Sequence, residues 1–162
     1  FEGFLNNANV PVAAAPTGSW KTATSLQIIE DLNYGWQTIM NATNQLEVPD
    51  TWLLAPSRFN IIAGRPFSTL GNLTVAQWFI QNNPHIEEMD QWYKMEKADA
   101  AGTGPRCMCY RRDPNAVFLE IPQEFEQFAP QMEGMQYTVP CHARIGGVAF
   151  PYPLSALYMD GT

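Results

Sequence analysis

Residues 22–56 read TATSLQIIEDLNYGWQTIMNATNQLEVPDTWLLAP, and this stretch carries the strongest pattern in the chain. Its apolar residues recur at steps of three and four, which is the spacing of one buried helix face. The pattern predicts a helix that is capped by Thr22 or Thr24 and ends near Asn44, with Glu30 and Asp31 on or near its polar side. The apolar stripe consists of Leu26, Ile29, Leu32, Trp36, Ile39 and Met40.

A short apolar run, residues 51–55, follows the helix between two prolines. A run of this length with such boundaries is typical of a buried strand. Trp36 lies on the helix stripe and Trp52 in the strand, so we expect both rings in the core. Gly35 in the middle of the helix should weaken it by about 1 kcal/mol relative to Ala.

Beyond residue 56 the chain turns often, in keeping with its 13 Pro and 11 Gly. Two short helices are expected, capped by Ser57 and Thr74. After residue 105 the pattern changes to β, and a turn at residues 113–115 returns the chain from one strand to the next. Strands are predicted over residues 107–110, 116–121, 136–145 and 156–159, the third of them bent at Pro140. The fold class is therefore α+β, with helices first and strands last.

Three segments follow from this pattern. Residues 1–20, rich in Asn, Ala and Pro, are predicted to be an extended connector, residues 21–115 an α/β core and residues 116–162 a β-rich closing segment. A length of 162 residues suits one domain of ordinary size.

The acidic charge balance restricts the classes of partner that we expect this chain to bind. The chain has 9 Lys and Arg against 16 Asp and Glu, a formal net charge of −7. Nucleic-acid binders and proteins of anionic membrane surfaces normally carry a basic footprint. No apolar run approaches the ~18–20 residues that span a bilayer. We therefore expect neither sequence-specific nucleic acid nor a membrane as a partner.

The residues that could support catalysis or hold a metal are few. Cys107 and Cys109 would share one strand face, whereas Cys141 and His142 would point to opposite faces, which does not suit a zinc site. No nucleophile elbow or phosphate-binding loop is present. We expect no catalytic residue, no metal, no cofactor and no small-molecule ligand, and a small hydrolase is the less favoured alternative.

The charged clusters leave two interpretations open. Arg106, Arg111 and Arg112 form the only basic cluster in the sequence, either as an intersubunit salt-bridge patch or as ordinary surface. The carboxylates are interpreted as solvated acidic edges, at Glu87, Glu88 and Asp90 and at Glu120, Glu124 and Glu126.

The order of several motifs along the chain resembles the C-terminal half of the major capsid proteins of tailed phages and prophages, whose head fold encapsulin shells share. The motifs lie at residues 3–7 (GFLNN), 51–56 (TWLLAP), 110–114 (YRRDP), 137–141 (YTVPC) and 153–161 (PLSALYMDG). The resemblance implies an axial domain over residues 21–115, with a mixed sheet flanked by helices, and closing strands that return to a peripheral domain.

The same resemblance implies a role and a set of contacts. The role is that of a structural subunit that associates with its own copies into hexamers and pentamers of an icosahedral head, located in the virion and, during assembly, in the bacterial cytoplasm. The loops at residues 65–73 and 98–105 would lie near the capsomer axis. Candidate intersubunit contacts are Arg65, Arg106, Arg111 and Arg112.

Two alternatives within the same class stay open, namely a phage neck or tail component and an encapsulin-like shell. The head fold begins with an N-terminal arm, an extended hairpin loop and a long spine helix, and none of these precedes Phe1 here. We therefore expect the chain to be the C-terminal portion of such a protein.

Overall fold

The computed structural model describes residues 3–68 and 71–162. Three α-helices lie in the described residues, α1 (Ser25–Ala42), α2 (Pro56–Gly64) and α3 (Val75–Asn82). The strands are β1 (Val12–Ala14), β2 (Thr51–Leu54), β3 (Glu88–Gln91), β4 (Arg106–Tyr110), β5 (Phe118–Glu120), β6 (Gln123–Gln127), β7 (Gln131–Glu133), β8 (Gln136–Thr138), β9 (Cys141–Arg144), β10 (Gly147–Ala149) and β11 (Ala156–Asp160). Short 3₁₀ turns occupy Tyr93–Lys97 and Pro153–Ser155.

A five-stranded mixed sheet forms the centre, in the order β1-β11-β4-β2-β3. The last strand, β11, lies inside this sheet, parallel to β1 and antiparallel to β4. Strand β2 runs antiparallel to β4 and parallel to β3. The two ends of the chain therefore meet in neighbouring strands, and the predicted α+β class with a mixed sheet flanked by helices is confirmed.

The three helices cover one face of the sheet. Helix α1 starts with a capping box between Thr24 and Gln27, and α3 starts with the same arrangement between Thr74 and Gln77. Each box satisfies backbone N–H groups that have no partner inside the helix. Under the helices, the core contains Trp20, Ile28, Leu32, Ile39, Trp52, Ile62, Phe79, Cys107, Cys109 and Met159.

The buried face of α1 differs from its predicted stripe. Leu26 is 61% exposed, and Ile28 is buried in its place. Trp52 is fully buried as predicted, whereas Trp36 is only half-buried at the edge of the core. The buried face of α1 is therefore rotated about the helix axis relative to the predicted stripe, toward Ile28, Asp31 and Gly35.

Asp31 lies on the buried side of α1, so its predicted place near the polar side was wrong. Its carboxylate accepts hydrogen bonds from the Thr17 backbone N–H at 3.0 Å, the Thr17 hydroxyl at 2.6 Å and Trp20 Nε1 at 2.8 Å. A buried carboxylate is tolerated when its oxygens have donors of this kind. The carboxylate ties residues 17–20 to the helix.

The start of α2 also differs from its prediction. Ala55, not Ser57, is the N-cap residue, and Pro56 occupies the first turn. The free N–H of Ser57 instead donates to Glu96 Oε1 at 2.7 Å, and its hydroxyl donates to Glu96 Oε2 at 2.9 Å. A carboxylate from the turn at Tyr93–Lys97 thus satisfies the helix start.

The opposite face of the sheet carries a second, smaller core. Met95, Met108, Phe150 and Tyr158 are buried there. The ring of Phe4 lies 5.3 Å from Tyr110 and 5.8 Å from Phe150, centroid to centroid. This layer holds the segment that precedes β1 against the sheet.

Strands β5–β10 leave the sheet as a two-stranded structure, which we call the ribbon (residues 118–149). It consists of the pairs β5–β10, β6–β9 and β7–β8, closed by a two-residue turn with Gly134 at φ 67°. The predicted return of strand 107–110 into strand 116–121 was wrong, because β4 pairs with β11 and β2 while β5 pairs with β10. The predicted bend at Pro140 is present between β8 and β9.

The division into residues 1–20, 21–115 and 116–162 stays a prediction about domains. The first and third of these segments each contribute a strand to the central sheet, namely β1 and β11. Phe1, and Thr69 and Leu70 of the predicted loop at residues 65–73, lie outside the described residues.

Gly35 is explained by packing. A Cβ at this position would lie 2.5 Å from Cη2 of the Trp52 ring. We predict that Gly35→Ala lowers the free energy of unfolding by about 1–3 kcal/mol, because overpacking outweighs the gain of helix propensity. Urea unfolding measures the change. The control is Gly64→Ala, where a Cβ has no atom within 4 Å. Equal stability of the two variants would contradict the contact.

The three thiols should differ in reactivity. Burial raises the pKa of Cys107 to about 11 and also raises the pKa of Cys109, whereas Cys141 is exposed on β9. Because of these raised pKa values, both buried thiols stay protonated at pH 8. The thiolate is the reactive form of cysteine, so neither buried thiol should react. We predict that a thiol reagent modifies one cysteine in the native chain and three in denaturant. Rapid native modification of two or three would show that β4 opens.

Candidate assembly surfaces

The ribbon exposes an unusual amount of apolar surface. Its side chains from Glu124 to Val139 are all exposed, so this part does not pack against the core. Ten large apolar side chains of the ribbon are exposed, namely Phe118, Leu119, Ile121, Phe125, Phe128, Met132, Met135, Tyr137, Val139 and Ile145. An isolated two-stranded ribbon is marginally stable in water, and exposed apolar patches of this kind mark interaction sites.

The outer ribbon is two-faced. Met132 and Tyr137 are opposite each other across β7 and β8, so their side chains lie on the same face. The residues on either side of this pair are polar, and Thr138 donates its hydroxyl to Glu133 at 3.0 Å on the other face. This alternation is typical of a ribbon that covers, or is covered by, another surface on one side.

The predicted arginine cluster is divided between the two ends of β4. Arg106 begins the strand, and Arg111 and Arg112 follow its other end, roughly 16 Å away at ~3.3 Å per residue. Arg111 binds Glu47 and Asp113, both at 2.9 Å. Arg112 pairs with Glu88, and its side chain is 62% exposed. The structure therefore brings Arg111 and Arg112 together and separates Arg106 from them.

Arg106 is buried and fully engaged inside the chain. Its Nε and Nη2 donate to the two oxygens of Asp160 at 2.7 Å each, and its Nη1 donates to the Leu5 carbonyl at 2.8 Å. The guanidinium also lies 4.6 Å from the ring centroid of Tyr158. The hydrogen bond to Asp160 raises the pKa of Arg106 above its ordinary value. This residue connects three parts of the chain.

Arg65, the fourth candidate contact, lies at the end of α2. Its Nη1 donates to the Ala23 carbonyl, and its Nη2 donates to the Lys21 carbonyl at 3.5 Å. These bonds tie α2 to the start of α1. Whether any of the four arginines contacts another subunit stays a prediction.

Two grooves open on the surface of the core. The first, which we call the lysine groove, has a volume of about 510 Å³. Its lining includes two rings, Phe4 and Trp92, and three charged residues, Lys94, Lys97 and Asp99. The second, which we call the proline groove, has a volume of about 450 Å³ and is lined by residues 42–44, 46–47 and 151–155. Neither groove could be predicted from the sequence, because each joins segments that are far apart in the chain.

The potential ligands and catalytic residues do not converge. Cys107 and Cys109 point into the helix-side core, whereas Cys141 and His142 lie on the exposed ribbon. Across residues 3–68 and 71–162, no group of three His, Cys, Asp or Glu side chains could hold a metal ion. No helix in the same ranges has the length and apolarity needed to cross a bilayer.

The Arg106–Asp160 pair should be important for stability. Arg106→Ala would leave the carboxylate of Asp160, whose side chain is 18% exposed, without its partner. We predict a loss of about 3–5 kcal/mol in the free energy of unfolding, as for other buried ion pairs broken on one side. The control is the exposed Arg112→Ala, with an expected loss below about 1 kcal/mol. Denaturant titration of both variants measures the difference, and similar losses would be evidence against this role.

The chain is similar to known proteins in sequence and in fold. A family model described as "Major capsid protein" matches residues 1–162. No curated protein sequence matches the chain. Among solved structures, the fold is similar to a chain of the capsid of Myoviridae phage XM1, with a TM-score of 0.85 and 15% identity, covering 100% of this chain and 54% of that chain.

Two further structures share the fold at 12% identity. A virus-like particle from Pyrococcus furiosus has a TM-score of 0.65, with 96% of this chain and 58% of that chain covered. A phage-related protein from Bordetella bronchiseptica RB50 has a TM-score of 0.59, with 96% and 56% covered. The chain thus spans little more than half the length of the structures it matches.

The family predicted from the sequence motifs is confirmed by the family model and agrees with the fold. Since that model covers every residue from 1 to 162, the chain belongs to the major capsid protein family.

Proposed function

We propose that the chain is part of a structural subunit of a phage or prophage head, and that copies of the protein associate into hexamers and pentamers of a closed icosahedral shell. The role is one of assembly and not of catalysis. The observation that carries the proposal is the ribbon, whose exposed apolar face needs a covering surface. The location that follows is the virion, with the host cytoplasm as the site of assembly.

The ribbon suits a subunit that is completed by its neighbours and by the rest of its own polypeptide. From Phe118 to the turn at Gly134 it has about 16 residues per strand, so it extends up to roughly 50 Å. The core of about 125 residues is roughly 35 Å across if compact. Because the ribbon is longer than the core is wide, it is suited to contacts with surfaces beyond the core.

The charges of the chain agree with a shell wall. The net charge of −7 disfavours uniform adhesion to packaged DNA. At one end of the sheet, Arg112 remains 62% exposed beside Glu88 and Arg111 37% exposed beside Glu47. We propose that these two arginines, together with Arg65, are the intersubunit contacts of the predicted set, and that Arg106 acts inside the subunit. The loops at residues 65–73 and 98–105 remain our candidates for the capsomer axis.

An encapsulin-like shell is the second candidate. The similarity to the virus-like particle from Pyrococcus furiosus, at a TM-score of 0.65, favours it over a neck or tail component. Both candidates predict closed shells, and the content of the shell, DNA or protein cargo, separates them.

The test is assembly. The complete polypeptide that carries this chain should form closed shells in negative-stain electron microscopy, whereas the 162-residue chain alone should be monomeric or weakly associated. The reason is that the remaining interface would fall below the ~1,000 Å² of a stable contact, and ring closure amplifies each loss. Tubes or single rings would support the tail alternative, and shells from the 162-residue chain would contradict our estimate of the interface.

A ribbon variant sharpens this test. Replacing residues 122–145 of the complete polypeptide by a short turn between β5 and β10 should abolish shells. The core should keep its cooperative unfolding, because it lies outside the ribbon. The control is a replacement of Gly18 by Asn, which tolerates the positive φ of 78° found there, at a position where an added Cβ has no atom within 4 Å. Shells of normal size from the shortened protein would remove the observation on which the proposal rests.

A further inference from the structure

We propose that Asp99 is a positioning residue for assembly, and that its carboxylate fixes the shape of the loop at residues 98–105 before this loop meets neighbouring copies of the protein. We call residues 98–105 the tip loop. The inference rests on the proposed function, in which the tip loop is a candidate for the capsomer axis, and it names the residue that fixes the conformation of the loop.

The sequence of the tip loop offers few side chains that could hold it in one conformation. It reads ADAAGTGP, with three alanines, two glycines and no large apolar residue. Residues 100–103 are exposed. Glycine loses more conformational freedom on folding than any other residue, and here no buried apolar side chain of the loop offsets that loss. The conformation of the loop must therefore come from hydrogen bonds.

Asp99 takes part in three hydrogen bonds that close the tip loop. Its backbone N–H donates to the Gly104 carbonyl at 3.2 Å, and its own carbonyl accepts from the Gly102 N–H at 2.9 Å. Its side-chain Oδ1 accepts from the Thr103 N–H at 2.7 Å. Gly102 has a φ of 71°, a conformation that favours glycine. One residue thus holds the loop closed through both its backbone and its carboxylate.

The carboxylate of Asp99 is held in its ionised form. Hydrogen bonding with the backbone of Gly104 has the largest effect in lowering the pKa of Asp99, and Thr103, Gly102 and the charge of Arg106 act in the same direction. A lowered pKa means that the loop binds the ionised carboxylate more tightly than the neutral acid. At neutral pH the group that closes the loop is therefore an anion bound by backbone N–H groups.

The tip loop is built closely around this carboxylate and is attached to the core at one point. A Cβ added at Gly104 would lie 2.7 Å from Asp99 Oδ2. The Ala100 N–H donates to Asp160 Oδ2 at 3.2 Å, and the same oxygen accepts from Arg106 Nη2. The loop thus has an internal closing group, Asp99, and an anchor on the buried ion pair.

The exposed part of the tip loop can offer a neighbour little besides its backbone and its shape. Its residues are two alanines, a glycine and a threonine, without a charge or a large apolar side chain. Ordering a flexible loop on contact costs free energy, and a loop that is already ordered avoids this cost. A closed ring repeats the contact at every subunit, so the cost would also be repeated. Asp99 removes it by fixing the loop before assembly.

The first experiment measures whether Asp99 holds the tip loop. Hydrogen exchange of the unassembled complete polypeptide is followed by mass spectrometry in a peptide that covers residues 98–105. Asp99→Ala should speed exchange in this peptide at least about tenfold, because its amides lose their acceptor. Asp99→Asn, which keeps one side-chain carbonyl oxygen, should speed it less. Exchange in β4 should stay unchanged, and unchanged exchange in the loop would overturn the proposal.

The second experiment reaches the same contact from Gly104. The Cβ of Gly104→Ala should displace the carboxylate and speed exchange of the loop, yet add little in the Asp99→Ala background, since substitutions that act through one contact are not additive. The control is Gly64→Ala, where a Cβ has no atom within 4 Å. Additive effects of the two loop substitutions would contradict a loop built around the carboxylate.

The third experiment measures assembly. Asp99→Ala should lower the yield of shells of the complete polypeptide several-fold in negative-stain electron microscopy, at an unchanged unfolding temperature of the unassembled subunit. Asp99→Asn should restore part of the yield. The control is Glu87→Ala, which also removes one carboxylate at an exposed position but lies outside the loop.

The outcomes distinguish this inference from the proposed function. If the unaltered complete polypeptide forms no shells, the proposed function fails, and the assembly role of Asp99 fails with it. If shells form and the Asp99→Ala protein assembles normally despite faster exchange in the loop, the inference alone is wrong. A lower unfolding temperature of the unassembled Asp99→Ala subunit would place the loop against the rest of its own polypeptide and would overturn its contact with neighbouring copies.

Discussion

The carboxylate of Asp160 is the point at which distant parts of the chain are joined. It accepts two hydrogen bonds from Arg106 on β4 and one from the Ala100 backbone N–H at 3.2 Å. Through Arg106 Nη1 the same centre holds the Leu5 carbonyl. One ion pair therefore aligns the last strand, the strand beside it, the loop at residues 98–105 and the segment before β1. An ion pair in a largely buried site stabilises a structure only when its hydrogen bonds are satisfied, and here each donor of that set has a partner.

Strand β11 gives this centre its structural importance. It lies between β1 and β4, and its side chains alternate between the two cores, with Leu157 and Met159 under the helices and Tyr158 on the opposite face. The hydroxyl of Tyr158 donates to the Phe4 carbonyl at 2.7 Å. The central sheet is complete only when β11, which follows the ribbon in the chain, lies between β1 and β4. Folding of the core thus requires contacts between residues about 150 positions apart, which are costly to form early in folding.

The core and the ribbon have different relations to solvent. The core packs apolar side chains against both faces of the sheet, and capping boxes start two of its helices. The ribbon satisfies its backbone through cross-strand pairing and leaves its apolar side chains in water. Under the proposed function, this apolar area is available for contacts with neighbouring copies and with the rest of the same polypeptide.

The local patterns of the chain could be predicted well. Periodicity and capping residues indicated α1, β2 and α3, Pro140 indicated the bend between β8 and β9, and the order of motifs indicated the family. The pairing of strands and the burial of charge could not be predicted in this way. The turn at residues 113–115 suggested a hairpin, yet β4 pairs with β11, since pairing depends on contacts across the whole chain. Arg106 looked like its neighbours Arg111 and Arg112 in the sequence, and its burial follows from Asp160, 54 positions away. Spacing of residues reports the shape of one element at a time, whereas burial, ion pairing and the two grooves arise where elements from distant parts of the chain meet.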